Sequence, residues 1–322
     1  MLVTGAGGFI GSHLVEQLAR AGAGVRAFVR YTSRGDDGWL EESPDDVRNA
    51  VEIFRGDLAN PEAVWRAVSD CEIVFNLGAL IPIPYSYRHP REFLSANLVG
   101  GLNVFEACRS AGVARLVQVS SSEVYGTPQT TPITEAHPLQ AQSPYAATKV
   151  GADQLALSYW RSFETPVVVA RPFNTFGPRQ SARAVIPTIV TQALSRGEIE
   201  LGSLAPTRDF LYVEDTVSGL LGCGLTPGIE GEVINLGTGV EHSVGEVVSE
   251  VLRLLGCDVP VRTTDERLRP RLSEVERLVA DATKARLLLD WESGVEFGEG
   301  LRRTVEWLTR SLDHYRPAVY AV

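Results

Sequence analysis

The chain begins with Met1-Leu2-Val3-Thr4-Gly5-Ala6-Gly7-Gly8-Phe9-Ile10-Gly11, a short apolar run followed by closely spaced glycines. The apolar run predicts a buried strand, and the apolar spacing over residues 10–18 predicts a helix directly after it. Glycines at Gly5, Gly8 and Gly11 permit a tight turn and let backbone N–H groups approach a pyrophosphate at the helix N-terminus. This strand–loop–helix order predicts a dinucleotide site rather than a simple turn.

The end of the second predicted strand is where an acidic residue would bond the adenine ribose of NAD. The segment Phe28–Arg34 contains no carboxylate. Arg30, Ser33 and Arg34 could instead hold a 2′-phosphate through charge-assisted hydrogen bonds. We therefore predict NADP in preference to NAD. The alternative places Arg30 over the adenine of NAD.

A short motif, Gly56-Asp57-Leu58, follows the third predicted strand. At that edge of a dinucleotide-binding sheet, Asp57 and Leu58 are expected to contact the adenine. The alternative for Asp57 is a plain helix N-cap, because aspartate is favoured at that position.

Apolar, β-rich runs alternate with helical patterns through the first half of the chain. Such alternation implies βαβ units and a parallel sheet covered on both faces. The sequence therefore predicts an α/β fold with a Rossmann-type, doubly wound parallel sheet. The predicted strands are Leu2–Thr4, Val25–Val29, Glu52–Arg55, Ile73–Leu77, Arg115–Ser120 and Val167–Arg171, and the predicted helices include Pro61–Val68, Asn97–Ser110 and Ala146–Phe163.

The pattern changes near residue 175, where turn residues and polar groups become frequent. We predict an NAD(P)-binding Rossmann domain over residues 1–175 and a smaller, mainly substrate-binding α/β region over residues 176–322. The turn-rich segments are Gly177–Arg183, Gly197–Arg208 and Thr226–Gly231. The predicted elements of the second region are a strand at Val233–Leu236 that returns to the sheet, a helix that the capping box Ser243–Glu246 opens, and a last helix at Gly298–Leu312.

Composition and charge limit the classes of partner. The 322 residues include 30 basic and 40 acidic side chains, for a formal net charge of −10. The hydrophobic fraction of 44% and the charged fraction of 22% are those of an ordinary folded protein. General binding to nucleic acid or to an anionic membrane is excluded, because both need clustered positive charge. A local basic pocket for a phosphorylated ligand remains possible.

The four cysteines, Cys71, Cys108, Cys223 and Cys257, are far apart and form no CxxC or Cys/His cluster. We therefore expect no disulfide framework and no metal site. No apolar run approaches the roughly 20 residues of a membrane span, and the N-terminus lacks the features of a signal peptide. A reducing, cytoplasmic location is expected.

Two polar segments follow the fifth predicted strand, Ser120–Gly126 (SSSEVYG) and Ser143–Lys149 (SPYAATK). Tyr145 and Lys149 are four residues apart, so on a helix both side chains face the same way. A lysine ammonium near a phenol favours the phenolate and lowers the pKa of the tyrosine. A tyrosine tuned in this way can take a proton from a sugar hydroxyl while hydride leaves the same carbon.

With these motifs the chain resembles the extended short-chain dehydrogenase/reductase family, specifically its NAD(P)-dependent sugar-nucleotide epimerase/dehydratase group. The resemblance covers nearly the whole chain. It rests on TGAGGFIG at residues 4–11, GDL at Gly56–Leu58, SSSEVYG, SPYAATK, RPFNTFGPR at Arg171–Arg179 and TRDFLYVEDT at Thr207–Thr216.

The resemblance implies roles for particular residues. Tyr145 would be the catalytic base, Lys149 would also hold the nicotinamide ribose, and Ser121 would bond the reacting oxygen. Asn174 and Arg208 would contact the substrate diphosphate. It also implies a tightly bound, recycled NAD(P) and a homodimer that packs two helices from each subunit. The residues expected to contact the dinucleotide are Gly5, Gly8, Phe9, Ile10, Gly11, Arg30, Ser33, Asp57, Leu58, Leu77, Ala79, Tyr145 and Lys149.

Glu123 stands immediately before Val-Tyr-Gly, where 4,6-dehydratases of this group carry a second catalytic carboxylate. Ser122 precedes it, as in GDP-mannose 4,6-dehydratases, whereas dTDP-glucose 4,6-dehydratases place an aspartate there. We predict a nucleotide-sugar 4,6-dehydratase with Ser122 and Glu123 in its catalytic site; the alternative for Glu123 is a structural residue that bonds neighbouring backbone. The segments that resemble nucleotide-GlcNAc 4,6-dehydratases of the legionaminic-acid-pathway type are Ile81–Tyr87, Gln180–Pro187 and Arg267–Leu278.

Two other hypotheses remain. The first is a UDP-glucuronate decarboxylase or a 4-epimerase on the same scaffold, since those decarboxylases also carry a Ser-Glu-Val-Tyr-Gly string. The second, of a different class, is a binding module that keeps the dinucleotide pocket without turnover. The joint presence of Tyr145, Lys149 and Ser121 argues against the binding module.

A sugar nucleotide brings two phosphates, which cations must meet. The predicted contacts are Arg208, Arg269 and Arg183. For Arg269 the alternative is a solvated surface residue. Tyr85 and Tyr87 are expected to wall the sugar pocket, with packing in the core as the alternative. Asn97 is expected either to brace the site or to cap a helix.

Overall fold

The computed structural model describes residues 1–315 of the chain. Residues 316–322, the end of the predicted second region, lie outside that range. The strands are β1 (Leu2–Thr4), β2 (Val25–Arg30), β3 (Val51–Gly56), β4 (Ile73–Asn76), β5 (Arg115–Val119), β6 (Val167–Pro172), β7 (Asn174–Phe176), β8 (Ile199–Leu201), β9 (Thr207–Tyr212), β10 (Val233–Leu236), β11 (Glu241–Ser243), β12 (Val261–Thr263) and β13 (Arg277–Leu278).

Seven of these strands form one parallel sheet in the order β10-β6-β5-β4-β1-β2-β3. The chain order reverses between β1 and β4. In a doubly wound sheet, the crevice outside the carboxyl ends of the strands at this reversal is where ligands bind. The predicted α/β class with a Rossmann-type parallel sheet is confirmed.

Helices cover both faces of the sheet. Successive side chains of a strand point to opposite faces of the sheet. Leu2 therefore packs in one core with Val64 and Phe105, whereas Val3 packs in the other core with Leu14. The helices are α1 (Phe9–Arg20), α2 (Asp45–Ala50), α3 (Pro61–Val68), α4 (Ile83–Arg88), α5 (Pro90–Phe93), α6 (Gly100–Ala111), α7 (Pro144–Phe163), α8 (Val185–Arg196), α9 (Val213–Leu225), α10 (Val244–Leu255), α11 (Thr283–Leu289) and α12 (Phe297–Arg310).

Local capping chemistry explains where several helices begin. The Asn60 side chain accepts from the backbone N–H groups of Glu62 and Ala63, so it caps α3. At α10 the backbone N–H of Glu246 donates to Ser243 Oγ (3.1 Å), and the Glu246 carboxylate accepts from the backbone N–H of Ser243 (2.7 Å). The predicted capping box is therefore confirmed.

Beyond β6 the chain builds smaller sheets and returns to the large one. β9 pairs with β11, β13 and β7, and β8 pairs with β12. β10 pairs in parallel with β6, so this strand extends the seven-stranded sheet.

The helices α8 and α9 were not predicted from the sequence. Three glycines lower the helix propensity of α9. Two of them are needed for close packing, because a Cβ at Gly219 would lie 2.8 Å from Leu236, and a Cβ at Gly224 would lie 2.8 Å from Cε1 of Phe75. The tight approach of α9 to the sheet is a tertiary requirement that a local pattern does not reveal.

Within residues 1–315, no helix combines the length and the apolar character that a membrane crossing requires. The same residues contain no group of His, Cys, Asp and Glu side chains arranged to hold a metal ion. The four cysteines are free thiols, of which Cys108 and Cys223 are buried.

Candidate active site

The glycine loop joins β1 to α1 at the carboxyl edge of the large sheet. Gly5 has a φ of +68°, and a Cβ there would lie 2.9 Å from the backbone of Gly78, beyond β4. A Cβ at Gly11 would overlap the carbonyl oxygen of Gly5. Gly8 is the N-cap of α1 and has no side chain to bond the first N–H groups of the helix. The loop therefore leaves these N–H groups for an anion.

The segment after β4 faces this loop. Leu77 and Ala79 are partly buried there. The Leu58 side chain packs against Gly78 so closely that a Cβ at Gly78 would overlap it. Phe9 and Ile10 form the first turn of α1 and are also partly buried. A glycine-lined cradle at the point where the strand order reverses fits the pyrophosphate of a dinucleotide.

Asn97 braces the loop after β4. Its Oδ1 accepts from the backbone N–H of Leu80 (2.7 Å), and its Nδ2 donates to the Leu80 carbonyl (2.9 Å) and to Thr148 Oγ1 (3.0 Å). Asn97 lies within the π-helical turn Leu94–Val99 that leads into α6. The bracing expectation is confirmed, and the helix-cap alternative is wrong because a continuous helical run surrounds the residue.

Asp57 is exposed beyond β3, and its Oδ1 accepts from the backbone N–H of Ala59 (2.8 Å). It is not the cap of α3, because that position belongs to Asn60. The cap alternative for Asp57 is therefore wrong, and the carboxylate stands at the same edge as the glycine cradle.

The loop after β2 holds a feature that the sequence did not reveal. Arg30 and Ser33 are exposed there. Farther along, Asp37 packs on the glycine loop, and its carboxylate binds the Arg55 guanidinium through two contacts of 2.9 and 2.7 Å. The segment Phe28–Arg34 has no carboxylate, but Asp37, whose backbone packs on Gly7, brings one close to the glycine loop. Its charge is offset by Arg55. No spacing rule pointed to a residue this far beyond the strand end.

The Tyr145–Lys149 pair lies on the first turns of α7. The helix begins where it does because Ser143 Oγ accepts from the backbone N–H of Ala146 (3.1 Å), with proline at the first helical position. Tyr145 and Lys149 are 7% and 5% exposed, so both are buried. The Lys149 ammonium donates to the carbonyl of Val119, the last residue of β5 (2.9 Å).

Ser121, Ser122 and Glu123 come from the 3₁₀ turn that follows β5. The Ser121 hydroxyl acts on the Tyr145 hydroxyl to lower its pKa and also accepts from the backbone N–H of Glu123 (3.2 Å). Ser122 is buried in the turn. The structure therefore brings Ser121 and Glu123 to Tyr145, as the sequence predicted.

The electrostatics of the Tyr145–Lys149 pair differ from the expectation. Burial, together with the charges of Glu123 and Asp153, raises the pKa of Tyr145 to about 12, against the opposing effect of the Ser121 hydroxyl. Burial lowers the pKa of Lys149 to about 8. The predicted lowering of the tyrosine pKa is therefore wrong for the chain as described, because burial outweighs the effects that favour the phenolate.

Four charged side chains form a cluster beside the pair. An Nη1 of Arg269 lies 3.6 Å from Glu123 and 3.9 Å from Glu274, and Arg208 lies 3.5 Å from Glu274. Burial lowers the pKa of Arg208. Arg269 is therefore not the solvated surface residue of the alternative interpretation. Glu274 was missed because nothing in its own segment marks it as a partner of two distant arginines.

Of the other predicted substrate contacts, Tyr87 lies near this cluster, whereas Arg183 lies near Tyr85. Arg183 is exposed. The hydroxyl of Tyr85 donates to Glu92 (2.8 Å), and the hydroxyl of Tyr87 bonds Ser273 Oγ (2.6 Å). Asn174 is partly buried, and its Oδ1 has no hydrogen-bond partner within the described chain. An unpaired buried acceptor beside the site is free for a ligand donor.

Gln142 is a further residue that sequence reasoning missed. Its Nε2 donates to the Leu272 carbonyl (2.9 Å), its Oε1 accepts from the backbone N–H of Thr127 (2.6 Å), and its carbonyl accepts from Ser273 Oγ (2.5 Å). It therefore ties the segment that carries Arg269 to the turn beyond Glu123.

A doubly wound parallel sheet with a glycine cradle and a Ser/Tyr/Lys set at one edge defines an extended short-chain dehydrogenase/reductase. The profile of the GDP-mannose 4,6-dehydratase family matches residues 2–304. The chain belongs to this family, a group of sugar-nucleotide epimerases and dehydratases.

Similar proteins have several activities. The UDP-glucose 4-epimerase of Mycolicibacterium smegmatis is 34% identical, over 95% of this chain and 97% of its own. The solved dTDP-glucose 4,6-dehydratase DesIV from Streptomyces venezuelae, with NAD bound, is 30% identical, with a TM-score of 0.88 over 99% of both chains. The solved complex of MoeE5 with UDP-glucuronic acid and NAD is 32% identical, with a TM-score of 0.86 over 96% of this chain and 99% of that one.

Proposed function

We propose that the protein is an NAD(P)-dependent nucleotide-hexose 4,6-dehydratase that forms a 4-keto-6-deoxy sugar. The observation that carries the proposal is the position of Glu123. Its side chain is 12% exposed, in the turn that also brings Ser121 to Tyr145. A dehydratase needs a second acid–base group beside the oxidation site, whereas oxidation at C4 alone needs only the tyrosine.

In this proposal Tyr145 takes the proton of the C4 hydroxyl. Ser121, whose hydroxyl lowers the pKa of Tyr145, would hold the same sugar oxygen. A nicotinamide held by the glycine loop and Lys149 would supply the hydride chemistry, with hydride leaving C4 and returning to C6. Lys149 lies one turn along α7, where an ammonium opposes protonation of the phenolate.

Glu123 acts on the neighbouring carbons. The C4 ketone makes the C5 proton acidic, and the Glu123 carboxylate removes it. The same group then delivers that proton to the departing C6 hydroxyl, so water leaves and the carboxylate is restored. As hydride reaches C6, C5 takes up a solvent-derived proton, and Tyr145 returns the C4 proton to solvent. One carboxylate can serve as base and then as acid because it keeps the proton that it abstracts.

Cations at the outer end of the site suit a diphosphate. Arg208 and Arg269 lie side by side, each within 4 Å of Glu274. Their guanidinium groups would meet the two phosphates through charge-assisted hydrogen bonds, with Asn174 as a further contact. Arg183 is exposed and would contribute less.

A second candidate has an observation in its favour. Arg269 lies 3.6 Å from Glu123 and offsets its negative charge. Without that offset, Glu123 would repel a substrate with a C6 carboxylate. A UDP-glucuronate decarboxylase or an epimerase is thus electrostatically possible, and MoeE5 is a relative solved with UDP-glucuronic acid.

Turnover of a nucleotide-sugar panel in D₂O separates these candidates. We expect a 4-keto-6-deoxy product with deuterium at C5, detected by mass spectrometry and NMR. Glu123→Gln should still oxidise C4 but stall at the 4-ketohexose, which borodeuteride reduction traps. Glu274→Gln is the matched control, since it removes a carboxylate of the same cluster and should weaken binding without stalling. Release of CO₂ from UDP-glucuronate, with no conversion of a neutral hexose, would establish the second candidate instead.

The preference for NADP over NAD stays a prediction. It rests on Arg30 and Ser33, while the Asp37 carboxylate beside the cradle is paired with Arg55. Chromatography of the dinucleotide released from denatured protein decides the question. A pure NAD content would refute the NADP preference without touching the proposed reaction.

The homodimer also stays a prediction. Leu94, Val99 and Phe163 are exposed apolar residues on the helical run 94–111 and on α7, the two helices expected at the interface. Sedimentation equilibrium should give twice the chain mass, and Val99→Glu should shift it toward a single chain. A single-chain mass for the unchanged protein would exclude the dimer.

A further inference from the structure

Asp153 is a buried carboxylate on the face of α7 that carries the Tyr145–Lys149 pair. It lies one turn beyond Lys149 and two turns beyond Tyr145, so all three share one stripe of the helix. Its exposure is 0%. A charged side chain is almost never buried to this extent unless a partner compensates it.

Its partners form a closed polar network. Asp153 Oδ2 accepts from Ser120 Oγ (2.8 Å) and from Arg171 Nε (3.0 Å). Arg171, 2% exposed, also donates to the hydroxyl of Tyr125 (2.9 Å), which donates to Asn235 (2.7 Å). The second oxygen, Oδ1, has no hydrogen-bond partner within residues 1–315.

Anchoring of the fold does not account for this arrangement. Removing two charges from water costs several kcal/mol per ion, and apolar residues of the same volume often stabilise a fold equally well. The network ties α7 to β6 and β10, a task that an apolar contact could perform. What an apolar residue could not supply is a negative charge one turn from Lys149.

Few other charges reach the pair. Asp153 is the charge that acts on Lys149, and Glu123 and Asp153 act on Tyr145, while Arg171 of β6 is paired with Asp153. Ile83 and Phe93 pack on Tyr145 from α4 and α5, and Asn97 reaches α7 through Thr148.

We propose that Asp153 is a positioning residue that keeps the proton of the Tyr145–Lys149 pair on Lys149, so that Tyr145 is the group left as phenolate. The inference rests on the proposed function, in which Tyr145 is the base. When the pair has released one proton, the remaining proton can sit on the lysine nitrogen or on the phenol oxygen. A carboxylate one turn beyond the lysine favours the lysine nitrogen.

The direction of the pKa shifts agrees. Burial lowers the pKa of Lys149 to about 8, and the Asp153 charge is what opposes that lowering. The Asp153 charge also raises the pKa of Tyr145, but Asp153 is one turn from Lys149 and two turns from Tyr145, so its loss should lower the pKa of the lysine more than that of the tyrosine. One pKa unit of preference changes the ratio of the two proton placements about tenfold.

Asp153→Asn tests this in the holoenzyme with two readouts. First, the acid limb of the kcat/KM profile should move about one pH unit lower, because no negative charge then retains the first proton, and the plateau should fall about tenfold. Second, tyrosinate absorbance near 295 nm, taken as the difference from Tyr145→Phe, should be missing from the plateau region. Asp153→Glu keeps the charge and should restore both.

Tyr125→Phe is the matched control, since it breaks the hydrogen bonds of the same network but leaves the Asp153 charge. We expect its acid limb and tyrosinate signal to match those of the unchanged protein. If Asp153→Asn does not fold, the double variant Asp153→Asn/Arg171→Gln leaves no charge unpaired and should show the same two changes. An unmoved acid limb with an intact tyrosinate signal would overturn the proposal. The tyrosinate readout needs no turnover, so it tests Asp153 even if the proposed reaction fails.

Discussion

The dinucleotide end and the sugar end of the site are built in different ways. At the dinucleotide end, the backbone forms the cradle, and Gly5, Gly8 and Gly11 all come from the first turn of the fold. At the sugar end, the site is formed by charged side chains. Glu123 and Arg269, which contact each other there, are 146 residues apart in the sequence. The first end is encoded by local spacing, whereas the second exists only once the chain has folded.

This difference predicts how each end fails when it is altered. A backbone cradle accommodates an added atom only at a cost, because the clash is with main chain, which must shift to relieve it. A charged cluster tolerates changes of side-chain shape better than changes of charge, since Arg208 and Arg269 share the Glu274 carboxylate.

The largest effect is expected at Tyr145, where the two ends meet. Tyr145→Phe keeps the ring and removes the hydroxyl that would take the C4 proton. We expect turnover to fall on the order of 10²–10⁴-fold, as for a positioned acid–base group, with the dinucleotide content of the purified protein unchanged. Tyr159→Phe, on the same helix but bonded to Glu106, is the control and should retain turnover. Near-normal turnover in Tyr145→Phe would remove the tyrosine from the mechanism.

Gly11→Ala tests the dinucleotide end alone. The added Cβ would overlap the Gly5 carbonyl oxygen and push the loop outward. A backbone shift of this kind costs about 1–3 kcal/mol, so dinucleotide affinity should fall up to about a hundredfold, since each 1.4 kcal/mol is tenfold. Gly24→Ala, whose Cβ would meet no atom within 4 Å among the described residues, is the control. Unchanged affinity by calorimetry in Gly11→Ala would show that the cradle is not where the dinucleotide binds.

These two positions also show what the sequence could predict. The glycine loop and the Tyr145–Lys149 pair are short-range patterns, and their place at the strand ends follows from the alternation of strands and helices. The six strands predicted before residue 175 all occur, with ends within about one residue. Physical rules about turns and helix faces therefore carried the fold and the proposed catalytic pair.

The rest depended on contacts that no local rule contains. Asp37 reaches the cradle only because its loop folds back over Gly7, and the sequence at the strand end suggested that no carboxylate was near. Asp153 stands four residues after Lys149, so the sequence does place it on the same face of the helix. Its burial and its pairing with Arg171 of β6 arise only when the chain folds. The raised pKa of Tyr145 is likewise a consequence of burial, which the spacing alone could not give.

Arg269→Met tests the sugar end alone. It removes the cation shared by Glu123 and the proposed diphosphate site while keeping much of the side-chain volume. We expect kcat/KM to fall roughly 10–100-fold, since a charge-assisted bond contributes about 1.5–3 kcal/mol, with dinucleotide content unchanged. Arg271→Met changes an exposed arginine of the same segment and should have little effect. Equal losses in both variants would mean that the segment acts through its general charge and not through Arg269.

The last prediction concerns His13, where the helix of the glycine loop meets the substrate side of the chain. Its Nε2 lies 3.1 Å from the Pro178 carbonyl, beside Arg179, which binds Glu16 of the same helix (2.6 Å). Burial lowers the pKa of His13 to about 4. The folded chain thus keeps the imidazole neutral down to about pH 4, while the unfolded chain takes up a proton below its ordinary value near 6.5.

Since the unfolded state binds more protons between these values, the contribution of His13 to stability is complete above pH 6.5 and is lost as pH falls toward 4. At pH 5 the loss amounts to about 2 kcal/mol. His13→Gln keeps an N–H donor for Pro178 and removes the titration, so its free energy of unfolding in urea should fall less between pH 7 and pH 5 than that of the unchanged protein. His89→Gln, at a half-exposed imidazole, is the matched substitution at a second histidine. If His13→Gln loses as much stability as the unchanged protein over this interval, protonation of His13 does not destabilise the folded chain. The contact between His13 and the Pro178 carbonyl is then not sensitive to pH.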